Sequence, residues 1–188
     1  MRKLWVKVWM TLDGVFDADT MDHWWPPADE ATVDEARRLE YVAEEYLRGD
    51  TYLLGRITYE MLWPGWSQDT TSALGSILHR MKKYVVSNTL TTAPWEGSSI
   101  ISGDAVEEIT KLKQQSGKDI IIDGSATLVQ ALMGTDLIDE YRFLVLPYVM
   151  GRGTRFFPDG TPSTQLRLVE SKMISAGTLA LIYQPDNK

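Results

Sequence analysis

The segment Ile120-Ile121-Ile122 consists of three apolar β-branched residues in succession. Because side chains alternate between the two faces of a strand, a strand of this composition must be buried on both faces. Parallel strands that are covered by helices on both sides of a sheet have this property. We therefore predict a central parallel strand here, followed directly by the turn Asp123-Gly124-Ser125.

Short apolar runs alternate with helical patterns along the chain before its last third. This alternation is typical of an α/β domain with a mostly parallel sheet. The further strands predicted in this part are Leu4 to Met10, Thr51 to Leu54, Tyr84 to Val86 and Ser99 to Ile101. The turn Asp13-Gly14 is expected to end the first of them.

The longest predicted helix has signals at both ends. Thr32 to Glu35 has the spacing of a capping box, and apolar residues then recur at spacings of three and four. Gly49 is expected to end this helix in a left-handed conformation. Other helices are predicted from Arg56 to just before Pro64, over 72–82, over 104–115 and from Ser125 to Gly134.

The last third of the chain has strands without intervening helices. These strands are Tyr141 to Met150, Gln165 to Met173 and Leu179 to Gln184. The last two should pair as an antiparallel hairpin across Ser175-Ala176-Gly177. With 188 residues and no linker-like segment, the chain is predicted to form one α/β domain over residues 1–188.

Composition excludes several classes of function. The absence of cysteine excludes disulfides, thiolate metal sites and a cysteine nucleophile, and two histidines are too few for a His-rich metal cage, so no metal site is predicted. A net charge of −7 argues against a nucleic-acid partner. The longest apolar stretch, Phe143 to Met150, is far below the roughly 20 residues of a membrane span. No signal-peptide profile is seen near Met1, so a cytoplasmic protein without a membrane partner is expected.

Small or hydrogen-bonding residues follow three of the predicted strands. They are Gly55-Arg56-Ile57-Thr58, Ser87-Asn88-Thr89 and Gly124-Ser125-Ala126-Thr127. Ligands of open parallel sheets bind at the carboxyl ends of the strands, and helix N-termini there favour phosphate groups. One such turn alone is often only structural, but three of them favour a dinucleotide site. The glycine patterns of the Rossmann fold and the P-loop are both missing, so the design would be a different one.

An acidic loop follows the first strand, with Asp13, Asp17, Asp19, Asp22 and Asp29. These residues could supply a general acid or a loose site for a hard cation, or could simply be a solvated loop. Asp13 ends the first strand and should face the same sheet edge as the glycine turns. A turn residue that bonds its own backbone is the alternative for Asp13.

Two other residue types in loops could serve a site. His23 could carry protons, although a packed loop residue is the simpler interpretation. The tryptophans that fall in loops could wall a pocket for a flat ring; they are Trp24, Trp25, Trp63 and Trp66.

An ordered set of motifs resembles the dihydrofolate-reductase-like superfamily. The nearest branch looks like the stand-alone relatives of the C-terminal reductase domain of bacterial bifunctional riboflavin-biosynthesis deaminase-reductases. The resemblance extends from about Lys3 to Tyr183, and its motifs are Thr11-Leu12-Asp13-Gly14, Leu54 to Glu60, Lys83 to Leu90, Gly124-Ser125 with Leu128 to Leu132, Leu137 to Glu140 and Pro147 to Gly153.

The resemblance implies a central, mostly parallel mixed sheet with a C-terminal antiparallel hairpin, helices on both faces and NADPH across the strand ends. By position, Gly55, Arg56 and Thr58 would contact the pyrophosphate, as would the turn and helix start Gly124, Ser125, Ala126 and Thr127. Ser87 and Asn88 would belong to the pocket for the adenosine 2′-phosphate. Asp13 matches a carboxylate at the substrate edge, and Asp123 stands where riboflavin-pathway reductases carry glutamate. Relatives of this kind are often homodimers through the C-terminal strands.

Two departures from the family pattern concern charge. Many relatives carry arginine at the position of Asn88. The basic pair that would hold a substrate's ribose phosphate cannot be placed in this sequence.

The sequence thus predicts an NADPH-dependent reductase that acts on a C=N or C=O carbon of a small heterocyclic substrate. Asp13 or Asp123 would donate the proton, with a pKa raised by desolvation in an aromatic pocket. The alternatives are a non-catalytic NADP(H)-binding sensor or partner module, and a true dihydrofolate reductase. The latter would carry its carboxylate after the first strand, at Asp29, Glu30 or Asp34.

Overall fold

The computed structural model of the chain describes residues 1–24 and 33–186. The capping box at Thr32 and the candidate acids Asp29 and Glu30 lie outside these residues. The strands are β1 Leu4–Thr11, β2 Gly49–Gly55, β3 Lys82–Val86, β4 Ser98–Ile101, β5 Asp119–Asp123, β6 Glu140–Leu146, β7 Leu166–Ser175 and β8 Thr178–Pro185. The α-helices are α1 Met21–Trp24, α2 Val33–Tyr46, α3 Arg56–Trp66, α4 Ala73–Arg80, α5 Ala105–Gln114 and α6 Ala126–Leu132, and a 3-10 turn spans Ala18–Thr20.

All the strands form a single sheet in the order β4-β3-β2-β5-β1-β6-β8-β7. Neighbours from β4 to β6 pair in parallel, and the pairs β6–β8 and β8–β7 are antiparallel. β7 and β8 form the predicted hairpin, with Ser175 opposite Thr178. The predicted α/β class, with a mostly parallel sheet and an antiparallel C-terminal hairpin, is confirmed.

Each face of the sheet has its own hydrophobic core. Ile120 and Ile122 face a core that α5 and α6 complete, whereas Ile121 faces a core that α2, α3 and α4 complete. All three side chains are fully buried, which confirms the central position predicted for this segment. Burial of each such side chain stabilises the fold by roughly 1.5–3 kcal/mol. Within the described residues, no helix is long and apolar enough to cross a membrane.

Some boundaries differ from the prediction. α3 continues through Pro64 to Trp66, because Trp63 and Trp66 pack against the core and hold the last turn in place. β6 ends at Leu146, since Pro147 lacks the N–H that a continuing strand would need. Gly49 begins β2 and is not left-handed; a Cβ there would lie 2.7 Å from Cδ1 of Ile121, so close packing requires the glycine.

The loop after β1 is joined to the segment after β6. The backbone N–H of Leu12 donates to the carbonyl of Tyr148 at 2.8 Å, and the N–H of Phe156 donates to the carbonyl of Gly14 at 2.9 Å. Val15 forms an antiparallel bridge with Arg155. These bonds bring the two segments together at the carboxyl end of β1, beside the ends of the other parallel strands.

Candidate active site

A cavity of about 770 Å³ opens at the carboxyl ends of the parallel strands. Gly55 ends β2, Ser87 follows β3 and Asp123 ends β5, and all three line the cavity. The walls come from β1 and the loop after it and from α2 and α3, and they include the aromatic side chains of Trp9, Phe16 and Trp66. The cavity therefore lies where open parallel sheets bind ligands, as the sequence predicts.

The turns after β2 and β5 touch each other at one end of the cavity. A Cβ at Gly55 would lie 1.9 Å from the hydroxyl oxygen of Ser125, so only glycine allows this approach. Gly124 and Ser125 both have positive φ, at 57° and 62°, and within the described part of the chain Ser125 is the only such residue other than glycine. A residue other than glycine held in this region stores strain, which typically persists where function requires the conformation.

The two helices that begin at these turns have bare N-termini. Ser72 caps α4 and Asp104 caps α5 through side-chain oxygens. Among the described residues no side chain caps α3 or α6, which begin beside the cavity at Gly55 and Ser125. The first N–H groups of these helices are therefore available to ligand oxygens.

All the predicted cofactor residues except Asn88 line the cavity. Gly55, Arg56, Thr58 and Ser87 line the cavity, as do Gly124, Ser125, Ala126 and Thr127. The exposed guanidinium of Arg56 pairs with Oε2 of Glu60 at 2.7 Å, one helical turn away.

The turn after β3 is held by its own side chains. The hydroxyl of Ser87 accepts from the N–H groups of Thr89 and Leu90 at 3.1 and 2.9 Å. The described lining does not include Asn88, whose Oδ1 accepts from the N–H of Gly103 at 2.8 Å. Asn88 therefore holds the segment after β4 in place at the edge of the site.

Four side chains form a hydrogen-bonded cluster on the floor of the cavity. Lys7 on β1 lies in register with Asp123 on β5, and its Nζ is 3.2 Å from Oδ2 of the carboxylate. The hydroxyls of Tyr46 and Tyr52 donate to the same Oδ2 at 2.8 and 2.7 Å. We call Lys7, Tyr46, Tyr52 and Asp123 the floor cluster; three donors thus fix one carboxylate oxygen.

Burial governs the charges of the floor cluster. Burial lowers the pKa of Lys7, and the charge of Asp123 only partly opposes this shift. Burial and the nearby Asp123 raise the pKa of both tyrosines well above 10, so their hydroxyls remain protonated donors. The ammonium of Lys7 also lies 5.0 Å from the ring centroid of Trp9 and 5.2 Å from that of Tyr46, where cation–π attraction stabilises it.

Sequence reasoning found Asp123 but missed its three partners. A lysine among the apolar residues from Leu4 to Met10 was the available signal, since a charged residue in a strand buried on both faces needs a buried partner. The partner could not be named, because only the sheet order places β5 beside β1.

Asp13 differs from its prediction. One oxygen accepts from the hydroxyl of Thr11 at 2.6 Å and from the N–H of Met150 at 3.1 Å, and the other accepts from the N–H of Gly151 at 2.7 Å. These bonds lower the pKa of Asp13 to about 2, so the expectation of a pKa raised by desolvation is wrong here. The carboxylate joins the loop after β1 to the segment after β6.

The other acidic residues of this loop have different surroundings. Asp17 lines the cavity and accepts from the N–H of Thr20 at 3.1 Å and from that of Thr154. Burial acts to raise the pKa of Asp17, but the bonds from Thr154 and Thr20 outweigh it and lower the pKa. Asp19 lines the cavity and is exposed, whereas the side chain of Asp22 lies outside the described atoms. In the described part of the chain, no three acidic or histidine side chains are placed to hold a metal ion.

His23 and the tryptophans also have individual outcomes. The imidazole Nε2 of His23 lies 3.2 Å from Nη2 of Arg152 at the surface. Trp66 lines the cavity as predicted, while Trp63 packs against the core. The side chain of Trp24 and all of Trp25 fall outside the described residues.

Comparisons with known proteins agree with this arrangement. Residues 2–180 match the pattern of the RibD C-terminal domain. Two uncharacterized proteins of Bacillus subtilis are similar in sequence: YyaP is 32% identical over 142 residues, covering 71% of this chain and 73% of YyaP, and YwjB is 31% identical over 175 residues, covering 91% of each.

Solved structures show the same fold. A putative riboflavin biosynthesis protein from Shewanella superposes with a TM-score of 0.71 at 20% identity, over 98% of this chain and 99% of the other. A dihydrofolate reductase from Enterococcus faecalis complexed with NADP(H) gives 0.64 at 18% identity, over 98% and 96%. A deaminase/5-amino-6-(5-phosphoribosylamino)uracil reductase from Thermotoga maritima gives 0.67 at 15% identity, over 98% of this chain but only 56% of that protein.

Proposed function

We propose that this chain, which belongs to the RibD C-terminal domain family, is a reductase that uses NADPH to reduce a small heterocyclic substrate. The observation that carries the proposal is a single cavity that brings together two kinds of binding group. At one end lie the uncapped turns at Gly55 and Ser125, and on its floor lies the cluster around Asp123. Such an arrangement suits a long anionic cofactor next to a smaller polar substrate.

The residues at the turns fit the pyrophosphate of a dinucleotide. The backbone N–H groups at the starts of α3 and α6 have no side-chain cap and suit phosphate oxygens, and Arg56 adds a guanidinium fork suited to phosphate. Gly55, Thr58, Gly124, Ser125, Ala126 and Thr127 complete this end of the cavity. When bound, NADPH supplies the hydride for the reduction.

We further propose that the site prefers NADPH to NADH. Ser87 lines the cavity after β3, where an NAD-specific site tends to place an acidic residue against the ribose hydroxyls. Together with Arg56, this uncharged turn favours a cofactor that carries the extra phosphate.

Asp123 is proposed as the residue that meets the substrate and passes it a proton. Among the described residues, the donors that reach Asp123 all bind Oδ2, which leaves Oδ1 free to contact the substrate. In the proposed step Oδ1 accepts from a substrate N–H while the carboxylate is ionised, and it donates once the carboxylate has received a proton. Lys7 is proposed as the source that restores this proton to the carboxylate. Burial lowers the pKa of Lys7, so its ammonium gives up a proton more readily than an exposed lysine would.

The experiment is a fluorescence titration followed by a transfer assay. Trp9 and Trp66 line the cavity and report binding, so NADPH and NADH can be titrated directly. We expect a lower Kd for NADPH, and equal values would refute the preference. NADPH deuterated at the nicotinamide C4 should then pass deuterium to a reduced pteridine or aminopyrimidine product, which mass spectrometry detects. Binding without deuterium transfer to any compound of the panel would instead support a non-catalytic module.

A pair of variants tests the role of Asp123. Asp123→Asn should keep the Kd for NADPH and lose turnover by about 10²–10⁴-fold, the usual contribution of a positioned proton donor. Asp119→Asn, at the other end of the same strand, is the matched control and should retain turnover. Equal turnover of the two variants would exclude Asp123 as the donor.

A further inference from the structure

We infer that the substrate of this site carries no phosphate and is a flat, uncharged or cationic heterocycle with N–H donors. The inference rests on the proposed function and deepens it by naming a substrate class. It follows from the charges that line the cavity, because neither of the two lining cations is available to a substrate phosphate. Within the described lining, the charged side chains are the cations Lys7 and Arg56 and the carboxylates Asp17, Asp19 and Asp123.

Neither cation is free to hold a substrate phosphate. The ammonium of Lys7 is only 7% exposed and is already paired with Asp123 at 3.2 Å. Arg56 follows Gly55, which packs against Ser125, so its guanidinium belongs to the cofactor end, and it also pairs with Glu60. Once a dinucleotide is bound, no cationic side chain of the described lining remains to hold a second phosphate.

The part of the lining that comes from the loop after β1 is acidic and aromatic. Asp17 and Asp19 come from the loop after β1, close to the ring of Phe16 and to Met21. Residues 25–32, which lie outside the described part, include Asp29 and Glu30 but no lysine or arginine, so they add no cation wherever they lie. Arg152 does not belong to the described lining, and its Nη2 lies 3.2 Å from Nε2 of His23.

A phosphate in this place would face carboxylates without a counter-ion. Like charges brought together in a binding site cost several kcal/mol, so the site selects against such a group. Oδ1 of Asp123 and the aromatic walls instead suit a ring whose N–H groups donate hydrogen bonds. The site therefore differs in preference from a reductase of a phosphoribosyl substrate.

The test compares two probes that differ only by the phosphate: 5-amino-6-(ribosylamino)uracil and its 5′-phosphate. Each is titrated against the protein saturated with NADP⁺, with tryptophan fluorescence as the readout, and each is then assayed for oxidation of NADPH. We expect the phosphate-free probe to bind about tenfold more tightly or better. Tighter binding of the phosphate overturns the inference but leaves the proposed function intact. Binding of NADP⁺ without either probe overturns the substrate class, whereas failure to bind NADP⁺ overturns the proposed function itself.

Two charge variants identify the cause of the preference. Asp19→Lys should weaken the discrimination against the phosphate by about threefold or more, because it places a cation on the wall of the cavity. Asp159→Lys changes the net charge equally at an exposed position outside the described lining, and it should leave the ratio of the two Kd values unchanged. Equal effects of both variants would overturn the local explanation. If the 5′-phosphate probe binds more tightly than the phosphate-free probe and Arg152→Ala abolishes this difference, Arg152 binds the phosphate and the inference is wrong.

Discussion

Replacement of Lys7 by methionine should reveal how strongly the buried ion pair of the floor cluster contributes to stability. Removal of one partner of a buried pair typically costs about 3–5 kcal/mol, because the other charge remains buried. Here Asp123 keeps two tyrosine donors, and 17% of its side chain is exposed. We therefore expect Lys7→Met to lower the free energy of unfolding by a smaller amount, about 2–3 kcal/mol.

The reciprocal change, Asp123→Asn, leaves the ammonium of Lys7 buried without its counter-ion. The expected cost at neutral pH is similar, about 2–3 kcal/mol. The double variant Lys7→Met/Asp123→Asn removes both charges and keeps an acceptor for the tyrosines, so its cost should be only about 1–2 kcal/mol. The coupling energy between the two positions is then about 3–4 kcal/mol, well above the additivity error of about 0.5 kcal/mol.

Urea unfolding at constant ionic strength measures all four proteins of this cycle. A coupling energy below about 0.5 kcal/mol would refute the reasoning, since the two charges would then act independently. The pH dependence gives a second check. The pKa of Lys7 is lowered on folding, so the unfolded state binds more protons, and stability rises with pH between the folded pKa and 10.5. Asp123→Asn removes an interaction that raises this pKa, so the gain in stability should begin at lower pH in the variant and be larger in total by pH 10.5.

Three further expectations concern other parts of the molecule. Arg56→Ala should weaken NADPH binding by about 1–3 kcal/mol in calorimetry. Glu60→Gln frees the guanidinium and should tighten NADPH binding. A fall in Tm of free Arg56→Ala with unchanged affinity for NADPH would make Arg56 a structural residue instead. The folded pKa of Asp13, about 2, lies below the ordinary 3.8, so its carboxylate stabilises the fold above about pH 4, and this contribution is lost as pH falls towards 2. Asp13→Asn lacks this contribution at every pH. Acid unfolding of the variant should therefore begin at higher pH than that of the parent protein. The edge strand β7 exposes Leu168, Val169 and Met173, and we expect the homodimer implied by the resemblance to form there. Val169→Lys should then yield monomers in sedimentation. A parent protein that is itself monomeric would contradict the expected dimer.

The sequence predicted the sheet well because parallel strands have a distinctive composition. Ile120 to Ile122 could only be a strand covered on both faces, and the turns at Gly55 and Gly124 marked the strand ends where the cavity opens. The helix boundary at Pro64 was wrong because tertiary packing of Trp63 and Trp66 outweighed the local preference of proline.

The chemistry of the site was harder to predict because it depends on strand order. Lys7 in Leu4-Trp5-Val6-Lys7-Val8 has no partner within its own segment, and Tyr46 and Tyr52 look like ordinary core aromatics. Only the placement of β5 beside β1 brings them to Asp123. The role of Asp13 was likewise hidden, since the N–H groups that it accepts from, at Met150 and Gly151, follow β6.

The central position of β1 has a consequence during synthesis. Its neighbours in the sheet are β5 and β6, so the first strand made cannot pair until residues up to Asp123 have been translated, and it gains its second partner only after Leu146. At about 5–20 residues per second, this delay is on the order of ten seconds. During that time Lys7 is the charge that interrupts the apolar residues from Leu4 to Met10, and such a charge hinders intermolecular strand pairing. The same lysine therefore limits aggregation of the nascent chain before it pairs with Asp123, and the soluble yield of Lys7→Met should fall further than its loss of equilibrium stability explains.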